Sequence, residues 1–250
     1  MYRFPPCFFV SSTPQPQEIQ AIFNRIAPVY NQFNDWLSLG LHRVWKQMTV
    51  CWSEPPMGGT CLDVCCGSGD LTRLLAQAVG PNGRVYGLDF STELLAIANT
   101  MTQQRVQPLP ITWVEGDALQ LPFADHTFDA ATMGYGLRNV VDIPGSLSEL
   151  YRVLKPGAKV AILDFHRPSD PIMQTFQQWY LDTLVVPTAA RLGMREEYAY
   201  IAPSLERFPA GPDQVRLAQQ AGFCHGVHYA IAGGMMGILV ATKPKPTDTL

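Results

Sequence analysis

The chain has 250 residues and a formal net charge of −3; it is 47% hydrophobic and only 16% charged. That length and apolar content suit one domain with a substantial core, and the charged fraction lies well under the usual value of about 25%. A mildly acidic chain without a basic cluster argues against nucleic acid as a partner, and its apolar content excludes a disordered polyelectrolyte.

The N-terminal stretch MYRFPPCFFVSSTPQPQ holds four prolines and one short apolar patch. It lacks the apolar core and cleavage site of a signal peptide, so residues 1–15 are expected to be a disordered extension. Residues 16–250 then form a single domain. Ile19, Ile22, Phe23, Ile26 and Tyr30 recur at helical spacing, and Pro28 should end or bend that helix. A second helix is expected from about Ser38 to Val50. Residues 16–52 together read as a helical lid. Pro55-Pro56 and Gly58-Gly59 then break the chain.

From Thr60 the pattern changes to strands alternating with helices. TCLDVCC, RVYGLDF, ITWVEGD, TFDAATMG and AKVAILDF read as strands. DLTRLLAQAV, STELLAIANTMTQQ and IPGSLSELYRVLK read as helices, with Ser91 as an N-cap and Pro156-Gly157 as a turn. This rhythm predicts an α/β fold with a mostly parallel sheet covered on both faces. Residues 168–211 break it, with an apolar helix around Ile172 to Leu184 and then several prolines, and are expected to form a cap insertion. A helix over 213–222 and two strands, HGVHYAIA and MGILVAT, close the chain as an antiparallel hairpin.

No apolar run reaches the roughly 18 residues that span a bilayer. Of the six cysteines, Cys61, Cys65 and Cys66 lack zinc-type spacing and lie in or beside an apolar strand pattern, so they read as buried free thiols; no metal and a reducing, cytoplasmic setting are expected.

The chemistry-bearing segment is LDVCCGSGD, residues 62–70. A strand ends, Gly67-Ser68-Gly69 turns, and a helix begins, so the backbone can approach a ligand closely. Asp89 follows at the end of the next strand, placed to accept from ribose hydroxyls. Asp117 ends the third strand, where an adenine amino group could donate to it. A dinucleotide loop usually carries a third glycine; Thr72 stands there instead, and Asp63 precedes the loop inside the strand. Asp63 either orders the loop or meets a cationic ligand end. These features favour S-adenosylmethionine over a nicotinamide cofactor, although an NAD(P)-dependent oxidoreductase stays as the alternative of another class.

Four segments resemble the ubiquinone/menaquinone C-methyltransferase family, within the class I S-adenosylmethionine-dependent methyltransferases: YNQFNDWLSLGLHRVW (30–45), LDVCCGSGDL, GYGLRNVVD (134–142) and YRVLKPGAKVAILDF (151–165). The resemblance runs from about Ile19 to Lys243. Asn31 replaces the family's aspartate, Cys65 its glycine or alanine, and Ala158 its second glycine. The Cys-Cys-Gly-Ser-Gly-Asp form and NDWLSLGLHRVWK look like the branch of oxygenic phototrophs that methylates demethylphylloquinone; demethylmenaquinone and ubiquinone-pathway substrates are the neighbouring alternatives.

The resemblance implies a Rossmann-like seven-stranded sheet, S-adenosyl-L-methionine as methyl donor, and a lipid-tailed quinol as substrate with peripheral membrane contact. Asp63, Gly67, Ser68, Gly69, Asp89, Asp117, Ala118 and Gly134 are the expected donor-binding residues. Arg138 is the expected cation for a phenolate, with a structural salt bridge as its other reading. A phenol with a pKa of about 10 needs roughly 4 kcal/mol of help to ionise near neutrality. Asn139 orients substrate or caps a helix. Tyr135 meets the ring or the donor, His166 acts as base or is a loop histidine, and Tyr30 and His42 close over the substrate. The uncharged run from Leu217 to Thr242 suits a lipid-tailed partner, and equally two buried strands.

Overall fold

The computed structural model describes residues 38, 40–191 and 201–246. The predicted helix over 17–30 and Tyr30 lie outside these residues. The first described helix, α1 (Leu41–Ser53), begins and ends three residues later than its apolar spacing suggests. Gly40 in the left-handed conformation starts it, and Glu54 and the following Pro55-Pro56 stop it.

The sheet is built from β1 (Thr60–Val64), β2 (Arg84–Asp89), β3 (Ile111–Glu115), β4 (Phe128–Gly134), β5 (Leu154–Phe165), β6 (Cys224–Ile231) and β7 (Met236–Thr242). Its order is β3-β2-β1-β4-β5-β7-β6. The first five strands are parallel, and β7 returns antiparallel to β5 and carries β6 on the edge. The seven-stranded sheet and its terminal hairpin are those predicted. β1 is buried along nearly its whole length, as a central strand covered on both faces must be. Edge strand β6 alternates between half-buried and exposed positions.

Helices α2 (Asp70–Val79), α3 (Thr92–Gln103) and α4 (Ile143–Val153) cross between the parallel strands. Ser91 caps α3 by accepting from Leu94 N–H at 3.1 Å, as its position predicts. Asp142 caps α4 by accepting from Gly145 N–H at 3.0 Å.

Pro156-Gly157 is not a simple turn ahead of the fifth strand. β5 starts at Leu154, and the register against β4 jumps between Phe128 and Ala130. Proline cannot donate to a ladder and Gly157 has φ 84°, so the chain absorbs both as a bulge.

Between β5 and β6 lie α5 (Pro171–Tyr180), a wide turn over Leu181–Val185, α6 (Val186–Arg191), α7 (Ile201–Arg207) and α8 (Gly211–Gln220). The wide turn precedes Pro187, whose missing N–H removes one helical bond. Leu181, Val185, Ala189, Ile201 and Leu205 form a separate apolar cluster here, joined to the sheet through Phe165. The main core fills the other face around Phe128, Leu147, Leu150 and Leu154.

Candidate active site

The carboxyl ends of β3, β2, β1 and β4 open into one cavity of about 1170 Å³, its mouth included. Parallel strands all end on the same edge, so the loops after them converge there. Gly67, Ser68, Asp89, Asp117, Ala118, Gly134, Tyr135 and Asn139 line it. Eight of the residues predicted for the site therefore meet in one place.

Asp89 ends β2 and is 3% exposed. Its two carboxylate oxygens accept from Gly67 N–H at 2.8 Å and Ser91 N–H at 3.0 Å. Burial pushes its pKa up, against the pull of those bonds. Each oxygen keeps a second lone pair for a ribose hydroxyl. Asp117 is exposed at the mouth and accepts from Leu119 N–H at 2.9 Å. Leu88, Phe90, Leu94 and Leu119 supply an apolar wall between the two acids. Gly134 is required for space, because a Cβ there would meet Leu71 Cδ1 at 2.5 Å.

Asn139 donates from Nδ2 to Tyr135 O at 3.0 Å. Its Oδ1 is buried without a hydrogen-bond partner among the described residues. An orphaned acceptor in a cavity wall asks for a ligand donor. Tyr135 has φ 60°, and its ring lies 5.5 Å from that of Phe165, linking the cavity to the apolar cluster around Leu181 and Leu205.

Five other predicted residues stand elsewhere. Asp63 lies beneath the loop and does not line the cavity. Its oxygens accept from Thr72 Oγ1 at 2.6 Å and Thr132 Oγ1 at 2.8 Å, and burial pushes its pKa to about 7. It orders the loop, the first of its two sequence readings. Gly69, with φ 83°, is the N-cap of α2 behind the loop; a Cβ there would strike the Trp113 ring. Arg138 is turned away from the cavity into a buried ion pair with Asp164. Its Nε donates to Ser204 Oγ at 2.8 Å, and its guanidinium lies 5.0 Å over the Phe165 ring. The salt-bridge reading, not the phenolate cation, is what this geometry matches.

His166 also lies outside the cavity. Its Nδ1 donates to Gly234 O at 3.2 Å and its Nε2 accepts from Gly211 N–H at 3.0 Å. Burial lowers its pKa. With both ring nitrogens occupied, this histidine caps α8 and has no lone pair for a substrate proton. His42 is buried on α1, one turn before Lys46, and helps lower the pKa of Asp70.

Sequence reasoning missed Lys46 and Asp70, which both line the cavity. Lys46 Nζ reaches Asp70 Oδ2 at 2.6 Å, and Arg73 Nη2 holds Asp70 Oδ1 at 2.5 Å. Burial pushes the Asp70 carboxyl up, but Lys46, Arg73 and His42 outweigh it and hold its pKa below the ordinary value. A signal existed: Asp70 closes the glycine motif, and Lys46 directly follows the N-terminal signature.

A family model described as the ubiE/COQ5 methyltransferase family matches residues 12–243. The chain belongs to this family. It is 63% identical to the 2-phytyl-1,4-naphthoquinone methyltransferase of Nostoc punctiforme, over 90% of this chain and 98% of that protein. It is 50% identical to the chloroplastic 2-phytyl-1,4-beta-naphthoquinone methyltransferase of Arabidopsis thaliana, over 90% of this chain and 87% of that one. Among solved structures, Haemonchus contortus phosphoethanolamine N-methyltransferase 2 with S-adenosylhomocysteine superposes with a TM-score of 0.66 at 16% identity, covering 91% of this chain and 60% of that one. A Haloferax volcanii putative methyltransferase, in complex with its Trm112 activator, gives 0.65 at 18%, with 89% and 97% covered. These structural likenesses show the class I methyltransferase fold.

The methyl donor is S-adenosyl-L-methionine, and the cavity residues fit it. Among the described residues, Asp70, Asp89 and Asp117 face the cavity with one cation, Lys46. Asp70 is balanced by Lys46 and Arg73, which leaves Asp89 and Asp117 as the negative charge a sulfonium would meet. The oxidoreductase alternative fails on the family match.

Proposed function

We propose that this methyltransferase C-methylates the ring of a reduced 2-phytyl-1,4-naphthoquinone, converting demethylphylloquinol to phylloquinol. The observation that carries the substrate is the 50–63% identity, over about nine-tenths of the chain, to relatives named for that quinone. The donor supplies an electrophilic methyl on sulfur. The chain's own residues bind, orient and exclude water. Asp89 and Asp117 hold the adenosine, and Gly67, Ser68, Ala118 and Gly134 let it lie close to the backbone. Asn139 Oδ1 accepts from a quinol hydroxyl, which aligns the ring and raises electron density at the attacking carbon. Tyr135 packs against the ring, and the path by Phe165 leads the tail towards the cap. Arg138 is a positioning residue: it ties the loop bearing Asn139 to β5 and α7. One ring C–H proton is lost for each methyl gained.

The lid over 16–52, with Tyr30, closes this site in the proposal, and the cap over 168–211 takes the tail; His42, buried on α1, acts through Asp70 instead. Peripheral contact with a lipid surface belongs to the same reading. It is supported by the exposed Ile172, Phe176, Trp179 and Leu184 on the cap. The test is methyl transfer to demethylphylloquinol, demethylmenaquinol and a ubiquinone-type quinol, each reduced and oxidised. Preference for reduced demethylphylloquinol is expected. Equal turnover of the oxidised quinone, or preference for a benzoquinol, would overturn it.

A further inference from the structure

We infer that Lys46, on the helix before the first strand, receives the carboxylate of the donor's amino-acid end. The inference rests on the cavity being the S-adenosylmethionine site. Asp117, Asp89, the Gly67 loop and Gly134 follow one another across β3, β2, β1 and β4. Three inter-strand steps cover about 14 Å, the reach of an extended nucleoside carrying an amino acid. With the base at Asp117 and the ribose at Asp89, the amino-acid end arrives beside Gly67, Asp70 and Lys46. That end carries the ligand's one anion. Among the described residues, the cavity wall offers this anion three carboxylates and a single cation.

Lys46 is built for the role. It is 6% exposed although charged, a position lysine takes only when paired. Its partner Asp70 is held independently by Arg73, whose Nη1 also fixes Ser68 O at 2.7 Å. Asp70 therefore stays neutralised when Lys46 turns to a ligand. Lysine brings a compact charge on a flexible stem, which suits a short swing from one carboxylate to another. The aliphatic stem lies among buried residues of α1, so α1 itself reads which adenosyl compound is present. Compounds that keep the amino acid engage it, and those that have lost it do not.

The experiment is titration calorimetry with S-adenosylhomocysteine and 5′-methylthioadenosine, which share the adenosine and sulfur and differ in the amino acid. Lys46→Met should weaken S-adenosylhomocysteine about tenfold to a hundredfold, the range of one charge-assisted bond, and leave 5′-methylthioadenosine within about twofold. Lys46→Arg should recover most of the loss. Equal weakening of both ligands, or of neither, overturns the assignment. A measurement on the unaltered protein guards against misfolding of the variants. Decarboxylated S-adenosylmethionine should bind at least about tenfold more weakly than S-adenosylmethionine, and equal affinity overturns the assignment without touching the methyltransferase reading. A chain that binds no adenosyl compound overturns both.

Discussion

Arg138 and Asp164 are each almost fully buried, and the charge of each is balanced by the other. Removing one partner strands a charge, which costs about 3–5 kcal/mol. Arg138→Met should therefore lower unfolding free energy in urea by that order, and Arg138→Met with Asp164→Leu should recover much of it. A variant of full stability but no turnover would return Arg138 to the chemistry. Asn139 makes the opposite case. Its side-chain bond to Tyr135 O is ordinary, and its Oδ1 is left over. Asn139→Ala is expected to reduce kcat about tenfold to a hundredfold while S-adenosylhomocysteine affinity holds within about twofold. Asp89→Asn should act on binding instead. An amide nitrogen would face Gly67 N–H or Ser91 N–H, and calorimetric affinity should fall about tenfold or more.

The helix α5 is turned inside out for a water-soluble element. Gln177 is its buried residue and donates to His166 O at 2.9 Å, whereas Ile172 is 77% and Trp179 52% exposed. Ile172, Phe176 and Trp179 are spaced four and three apart and so form one row. Tryptophan at an apolar–polar boundary suits a bilayer surface. Replacing Phe176 and Trp179 together by serine should reduce co-sedimentation with lipid vesicles and turnover of the phytyl-tailed quinol. Turnover of a short-tailed, water-soluble quinol should stay unchanged. Loss on both substrates would assign the row to folding. The periodicity of this helix was legible in the sequence, but its outward face was not. An apolar stripe carries the same signal whether it meets a core or a solvent.

Across the molecule, α5, the edge hairpin and α8 meet at two histidines. The rings of His166 and His228 lie 4.6 Å apart, and burial is the main cause lowering both, His228 to about 4. The unfolded chain takes up these protons near 6.5, so lowered folded values mean stability that is complete above that pH. It is lost progressively as pH falls from about 6.5 towards 4. Urea unfolding should therefore show a drop across this window, and His228→Asn should flatten it. A profile unchanged by that substitution would place the sensitivity in other groups.

The order of strands and helices and the glycine loop were written in hydrophobic period and turn chemistry, because these depend on neighbours along the chain. So were Asp89 and Asp117 at consecutive strand ends. The bulge at Pro156-Gly157 escaped because a bulge is defined by the register of a partner strand. Lys46 escaped because a surface lysine and a cavity lysine read alike until α1 is packed against the loop. Arg138 and His166 were chosen for chemical type, and only packing decided what they do. Asp164 lies beside one, and the Gly211 N–H and Gly234 O bracket the other. Local sequence states what a side chain is able to do; the tertiary contacts decide which of its donors and acceptors are already taken.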